Sequence, residues 1–537
     1  MSRRLLLILA TAVALILPAF AHAQSRPREC RNDQAEVEAQ VFLCALELIG
    51  RMHLSVYNDS ALWTRALDGL IENLGDPYAS VFTPSEVRKF EEQTTGNYAG
   101  IGVSIVQLNN AVTITGVFRG APAASAGLEV GDVIIGVNGT DATAWTTETA
   151  SDSIRGPAGS SVEVVVRRDG IRQPLSFSLA RDSVHVSAVH WDVLPGDIGY
   201  IALDRVARRS AEELMAALDS LSDRRGIVLD LRRNPGGYLD ESLTMADAFL
   251  GRGAVLATTR NRTSNTPRAD ISEESYRGRM QPRVPDKPIV ILVDRYTASA
   301  AEIVTGALQD HDRALVLGER TFGKGVVQSV VDLPYGHKLR ITTGSWHTPL
   351  GRSLHRERDM EGTPLAENLD AGAPIQTPGG RTIRGGGGIF PDLDVAADSL
   401  SAVERELLAV AQEKQIQLGV REQETALARA RELREADQEP SVDDATFEAY
   451  VQSLAEAGLD ELVSREEVRG YLRWRLGVNV AERMDDFGAA TVARMERDSV
   501  LRRALDLLNG AASQSELFAA AERAKATSDT PSTIGAR

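Results

Sequence analysis

The sequence predicts a multidomain α/β protein with four parts. A helical N-terminal region comes first, then a compact β-rich module with short helices, an α/β core and a C-terminal helical extension. Three observations carry this. A chain of 537 residues is longer than one hydrophobic core organises and suggests about two to four domains. The apolar pattern changes from helical spacing to short β-type runs, and near the end returns to helical spacing. Between the β-type runs and the terminal helices, buried-strand runs alternate with helical ones, as in a sheet covered by helices.

The first 23 residues read as a signal peptide. Arg3 and Arg4 form a positive start, Leu5 to Phe20 is apolar but broken by Pro18, and Ala21 to Ala23 fits a small-x-small cleavage site before Gln24. The alternative is an uncleaved anchor, for which the run is short. Export follows as the expectation, most naturally to the periplasm. Residues 24–95 are expected to be helical, on the spacing in "VFLCALELIGRMHL" and "ALWTRALDGLIENL", with Ser85 or Thr83 capping a further helix. Residues 96–182 hold "GIGVSIVQ", "AVTITGVF", "DVIIGVNG" and "SVEVVVRRDG", short strands around the small-residue helix of "APAASAGLEVGD". In residues 183–398 "IGYIAL", "GIVLDLR" and "PIVILVD" each precede a helical run, and residues 259–287 read as a polar surface loop. Residues 399–520 are amphipathic and helical, and 521–537 are expected to be a disordered tail.

A formal net charge of −16 argues against a nucleic-acid partner. The two cysteines, Cys30 and Cys44, lie near the mature start. They are a disulfide pair or two free thiols in an oxidising compartment, far from every other motif. The chain contains no HExxH, and no metal or cofactor is expected. None of the eight histidines sits in a motif for a Ser-His-Asp triad; His311, nearest in sequence to Ser299, falls at the far end of a predicted helix.

Three stretches carry candidate chemistry. Ser299, in "TASAAEIVTGALQD", stands at a strand-to-helix turn among alanines that leave room for a substrate backbone. It reads equally as a helix N-cap. Lys324, in "TFGKGVVQ", follows 25 residues later between two glycines. A desolvated lysine loses its proton more easily and can act as base for a serine hydroxyl, with Gln328 orienting the amine. "LDLRRNPGGYL" ends a buried strand in paired glycines, Gly236 and Gly237. Their amides could stabilise an oxyanion or simply form a tight turn.

Together these stretches resemble the C-terminal processing (tail-specific) proteases, with "TPLGRSL", "GIFPDLDV", "LGDPYASVFTPSE" and "GNYAGIGVSI" in the family's order across roughly residues 38–396. The resemblance implies a serine endopeptidase with a Ser–Lys dyad: Ser299 as nucleophile, Lys324 as general base, Gln328 as its support. The oxyanion hole would combine the Ala300 amide with that of Gly236 or Gly237. It implies a crotonase-like core and a PDZ domain at 96–182, whose loop Tyr98, Ala99, Gly100, Ile101, Gly102 and Val103 would hold the C-terminus of protein substrates with apolar tails. An adaptor or activating partner and a homo-oligomer are open. Two departures, Thr297 and Ala301 where the family often has serine, neighbour the nucleophile. The extension past residue 398 matches no family motif; oligomerisation, capping of the active site and adaptor binding all stand as its role. The competing readings are a non-catalytic binding protein on the same fold, for which an intact Ser299–Lys324–Gln328 set is unnecessary, and a protease latent until a partner binds.

Overall fold

The structure, a computed structural model, describes residues 36–263, 271–365 and 374–528. The signal-peptide stretch, Cys30 and residues 529–537 lie outside the described residues. Helices α1 (Glu36–Met52) and α2 (Asp59–Glu72) lead to a short strand, β1 (Ser80–Phe82), and to α3 (Pro84–Thr95). Cys44 is exposed on α1. Of the two expected caps, Thr83 starts α3, in a reciprocal capping box with Glu86.

The β-rich module follows. Its elements are β2 (Asn97–Gly100), β3 (Val103–Leu108), β4 (Ala111–Val117), α4 (Pro122–Ala126), β5 (Val133–Val137), β6 (Thr140–Asp141), α5 (Thr147–Ile154), β7 (Ser161–Arg167), β8 (Leu175–Ala180) and β9 (Asp182–His185). The sheet runs β3-β4-β5-β7-β8, with β6 on β5. Alternate residues such as Val162, Val164 and Val166 point into its own core. Strands β2 and β9, where the chain enters and leaves, pair antiparallel as a stalk.

The core contains β10 (Val189–Leu194), β11 (Ile198–Leu203), α6 (Ser210–Ser220), β12 (Gly226–Asp230), α7 (Leu239–Leu250), β13 (Val255–Arg262), β14 (Ile271–Arg277), β15 (Ile289–Val293), α8 (Ala300–Asp310), β16 (Leu315–Gly318), β17 (Val326–Asp332) and β18 (Lys338–His347). A hairpin, β19 (Ile375–Gln376) with β20 (Thr382–Ile383), and β21 (Leu393–Asp394) close it. The main sheet has the order β10-β11-β12-β15-β16-β21 and is parallel from β11 onward. A second, antiparallel sheet, β1-β18-β13-β14 with β17 also on β18, brings the N-terminal region to the core. Part of the expected surface loop 259–287 is therefore strand: β13 continues to Arg262, and β14 occupies Ile271–Arg277. Five of the seven β14 residues are polar or charged, and strands exposed this way lack the alternation that marks a half-buried one.

The extension comprises α9 (Ala402–Glu413), α10 (Leu418–Glu435), α11 (Asp444–Leu454), α12 (Asp460–Val463), α13 (Glu466–Arg483), α14 (Phe487–Met495), α15 (Ser499–Asn509) and α16 (Gln514–Ser528). Helices α9 to α13 surround their own core of Phe447, Tyr450, Leu472 and Leu476. Helices α15 and α16 behave differently. The main sheet is apolar on both faces. One face (Ile201, Leu229, Ile291) packs under α6, α7 and α8. The other (Tyr200, Val228, Val290, Leu292) is covered by Val500, Leu501, Ala504, Leu508 and Leu517 of α15 and α16. The expected disordered tail thus begins too early: residues 521–528 belong to α16, and Ala521 is buried.

Candidate active site

The carboxyl ends of β12 and β15 carry two turns that interlock. After β15 the chain turns at Ser299 with φ 55° and ψ −119°, a backbone conformation non-glycine residues seldom adopt. Ser299 occupies the N-cap position of α8, one of the two places the sequence offered it. Its amide donates to Glu302 Oε2 at 2.8 Å. After β12, Asn234 is buried; its Nδ2 donates to Leu203 O and its carbonyl accepts from Ala298 N at 2.9 Å. Gly236 has φ 90°, and a Cβ there would lie 2.7 Å from the Ala300 amide nitrogen and 2.8 Å from Ser299 Cβ. At Gly237, φ 152°, a Cβ would stand 2.0 Å from Val206 O. Glycine is required at both. The Gly236 amide donates to Asn234 Oδ1 at 2.9 Å. Val206 N bonds Gly236 O and Tyr238 N bonds Val206 O, so in this bridge the Gly237 N–H points away from Val206. Both glycines line the cleft; the Gly236 amide is engaged by Asn234, whereas that of Gly237 is turned away from Val206.

Lys324 lies on the same cleft. Its Nζ donates to Gln328 Oε1 at 2.7 Å, and Gln328 Nε2 donates to Tyr78 O at 2.8 Å. Burial, aided by the nearby Arg340 charge, pushes the lysine pKa down to about 8, against the opposing pull of Asp76 and Glu302. Trp346 Nε1 holds the Lys324 carbonyl at 3.0 Å. The cleft, about 840 Å³, is lined by Ser299, Lys324, Gly237, Ile303, Val327 and Trp346 among others, and Phe90, Gln93 and Thr94 of α3 form its far wall.

Sequence reasoning missed Glu302. Fully buried, it accepts from Ser299 N, Thr321 Oγ1, Gly323 N and Lys324 N, at 2.5 to 2.8 Å. It thereby ties the serine turn to the lysine loop. Burial raises its carboxyl pKa while these four donors oppose the shift. Its position three residues after Ser299 is the acidic position of a capping box, a signal present in the sequence. Tyr78, Asp76 and Arg340 also went unnoticed: nothing local in the sequence joins Asp76 and Tyr78 to a serine more than two hundred residues away, or Arg340 to one 41 residues before it.

Of the other expected residues, Tyr98, Ala99 and Gly100 lie on β2, Ile101 and Gly102 form the turn, and Val103 opens β3. Ile101 is buried, and its carbonyl accepts from Ala123 N. A groove of about 720 Å³ runs beside this turn between β3 and α5 and is walled by α3. Tyr98 contributes its ring as well as its backbone: the Arg155 guanidinium sits 4.9 Å above it and is paired with Glu92 of α3. Burial raises the phenol pKa, against the Arg155 charge and the amides of Val103 and Gly102.

Comparison with known proteins matches residues 197–362 to Peptidase family S41 and residues 89–167 to the PDZ domain. The Carboxy-terminal-processing protease of Bartonella bacilliformis is 33% identical over 314 residues, covering 57% of this chain and 70% of that one. Carboxy-terminal processing protease CtpA of Bacillus subtilis is 31% identical over 315 residues, 58% of this chain and 66% of that one. Among solved structures, the photosystem II D1 C-terminal processing protease is 27% identical and covers 62% of this chain and 92% of that one, with a TM-score of 0.34. The two family matches and the 33% identity to the Bartonella bacilliformis protease lead to one assignment: the chain belongs to the PDZ-containing carboxy-terminal processing proteases of peptidase family S41 and is a serine-type peptidase.

Proposed function

We propose that this peptidase is exported and cleaves proteins at or near their C-terminal tails with a Ser299–Lys324 dyad. Neutral Lys324 takes the hydroxyl proton as Ser299 Oγ attacks the scissile carbonyl. The Ala300 and Gly237 amides stabilise the oxyanion, the protonated lysine returns its proton to the leaving amine, and water then cleaves the acyl-enzyme. The observation that carries this reading is the lysine itself. Its amine is largely desolvated, has a pKa lowered to about 8, and is held by Gln328 in a cleft that Ser299 also lines. A binding protein gains nothing from such an amine.

The PDZ turn Gly100–Val103 takes the substrate's terminal carboxylate, and the tail adds as a strand along β3. Gating is supported by geography: Gln93 and Arg205 line both the PDZ groove and the serine cleft, so α3 touches both. Among the described residues no helix is long and apolar enough to cross a membrane. The periplasm is the compartment that the N-terminal signal favours.

The test is incubation of the purified mature protein, beside its Ser299→Ala twin, with an unfolded protein ending in an apolar tail. Cleavage by the first alone is expected. Cleavage by both overturns the dyad; cleavage by neither turns the question to the activating partner.

A further inference from the structure

The C-terminal extension reaches the catalytic turn through one side chain. Asp498 is the N-cap of α15, where its Oδ1 accepts from Leu501 N at 2.9 Å. Both of its oxygens also accept from Arg232, from Nη1 and Nη2, at 2.8 Å each. Arg232 is half-buried and lies at the start of the turn that carries Gly236 and Gly237. Its Nε and Nη2 bond Asp230, at 2.9 and 2.6 Å. Asp230, the last residue of β12, in turn accepts from the Arg232 amide and from the Tyr200 hydroxyl. A single guanidinium thus spans the end of the core strand and a helix 266 residues further along the chain.

The turn needs this hold because of how it leaves the strand. Arg233 has φ 61°, and its amide is held by Asp294 Oδ1 at 3.0 Å. From there the chain runs through Pro235 to the glycines. The middle of the turn is tied to the serine loop through Asn234 and Ala298. Its end is tied to Val206. Its start rests on Arg232. A planar guanidinium gripped on two edges by two carboxylates has a fixed orientation, whereas one gripped by a single carboxylate can swing.

We infer that Asp498 is a positioning residue for catalysis: through Arg232 it fixes the turn that aims the Gly237 amide, so the C-terminal extension completes the catalytic unit. This rests on the proposed oxyanion role of Gly237. It also gives the region past residue 398 a function within its own chain.

The test compares full-length wild type with Asp498→Asn, Asp498→Glu and Gly237→Ala. Asparagine caps a helix as well as aspartate does, so α15 keeps its start and only the charged two-oxygen grip is lost. Active sites are counted by end-point labelling of Ser299 with a fluorophosphonate. Each enzyme is then assayed for kcat and KM, and for affinity toward a peptide boronic acid that mimics the tetrahedral intermediate. Asp498→Asn is expected to lower kcat per labelled site about 10–100-fold, the cost of a misaimed group. KM should stay within about twofold, boronate affinity should fall in parallel with kcat, and Asp498→Glu should recover part of the loss. A kcat per labelled site within twofold of wild type overturns the inference, as does a loss of kcat with unchanged boronate affinity. If instead Gly237→Ala retains full kcat, the oxyanion reading has failed, and the Asp498 inference with it. Should Asp498→Asn not fold, Arg232→Lys keeps the cap intact, removes the fork and carries the same comparison.

Discussion

The serine cleft and the PDZ groove are proposed to use the same tool, backbone N–H groups aimed at an oxygen of the substrate, yet they are built in opposite ways. The amides proposed for the groove come from one continuous run, Gly100 to Val103, from the end of β2 to the start of β3. The cleft draws on Tyr78, Val206, Gly237, Ser299, Lys324 and Arg340, and is locked by buried side chains that bond across segments. Tail capture needs a site that a strand can enter and leave. Acyl transfer needs donors already in place before charge develops. One site is therefore local and open, the other assembled and interlocked.

Breaking the cleft should abolish chemistry on every substrate. Ser299→Ala and Lys324→Ala are each expected to lower kcat by about 10⁴–10⁶-fold, as when a member of a catalytic unit is removed. Thermal unfolding should show the fold retained. Lys324→Met should unfold at a higher temperature than wild type, because it removes the cost of a desolvated amine. An equally active alanine variant of either residue would place the chemistry elsewhere.

Next in size is the turn. Gly237→Ala, whose Cβ has no room beside Val206 O, should cost about 10²–10³-fold in kcat with KM little changed, the usual loss of one oxyanion donor. Steady-state kinetics on a short ester substrate, which bypasses the PDZ groove, isolates this effect.

Breaking the groove should act on selection instead. Gly102 sits at φ 80°, and a Cβ there would approach Ala121 Cβ to 2.2 Å. Gly102→Ala is expected to lower kcat/KM about 10–100-fold for substrates with an apolar tail, the discrimination a small pocket supplies. Hydrolysis of the short ester should be unaffected. An equal loss on both substrates would mean that the groove and the cleft are one rigid site, and the contrast drawn between them would fall.

The same contrast decides what could be read from the sequence. "GNYAGIGVSI" is a local motif and revealed its turn directly. Ser299, Lys324 and Gln328 each drew attention through a local feature, a strand-to-helix turn, glycine flanks and a four-residue spacing, but only the family resemblance joined them into one set. The Gly236–Gly237 pair was visible too, but the bonds that hold it, to Asn234 and Val206, are made only in the fold. Glu302, Tyr78 and Asp498 act through partners that are distant in sequence or need three dimensions to recognise. The second helical cover of the sheet was hidden for a related reason: α15 and α16 are amphipathic in the ordinary way, and no periodicity says which sheet such a helix covers. The strand at Ile271–Arg277 was hidden by exposure.

The smallest effect expected is that of pH, and it separates the two sites most cleanly. The proposed base, Lys324, must be neutral to act, and its pKa is held near 8. Below that value the neutral fraction falls tenfold per pH unit. On the ester substrate, kcat/KM should therefore rise with unit slope up to about pH 8 and then level, gaining about tenfold between pH 7 and the plateau. A substrate carboxylate bound in the groove stays ionised throughout this range, so the affinity of an isolated tail peptide should stay flat. Stability should follow the lysine with the same sign. Its folded pKa, about 8, lies below its ordinary value of 10.5, so the unfolded chain binds more protons between these limits. Stability contributed by this group therefore rises with pH from about 8 to 10.5, and Lys324→Met should remove that rise. A flat rate profile with unchanged tail binding would mean that proton abstraction does not limit turnover. A profile that moves when Gln328→Leu removes the acceptor of the lysine's hydrogen bond, while tail binding stays constant, would assign the titration to the amine that Gln328 holds.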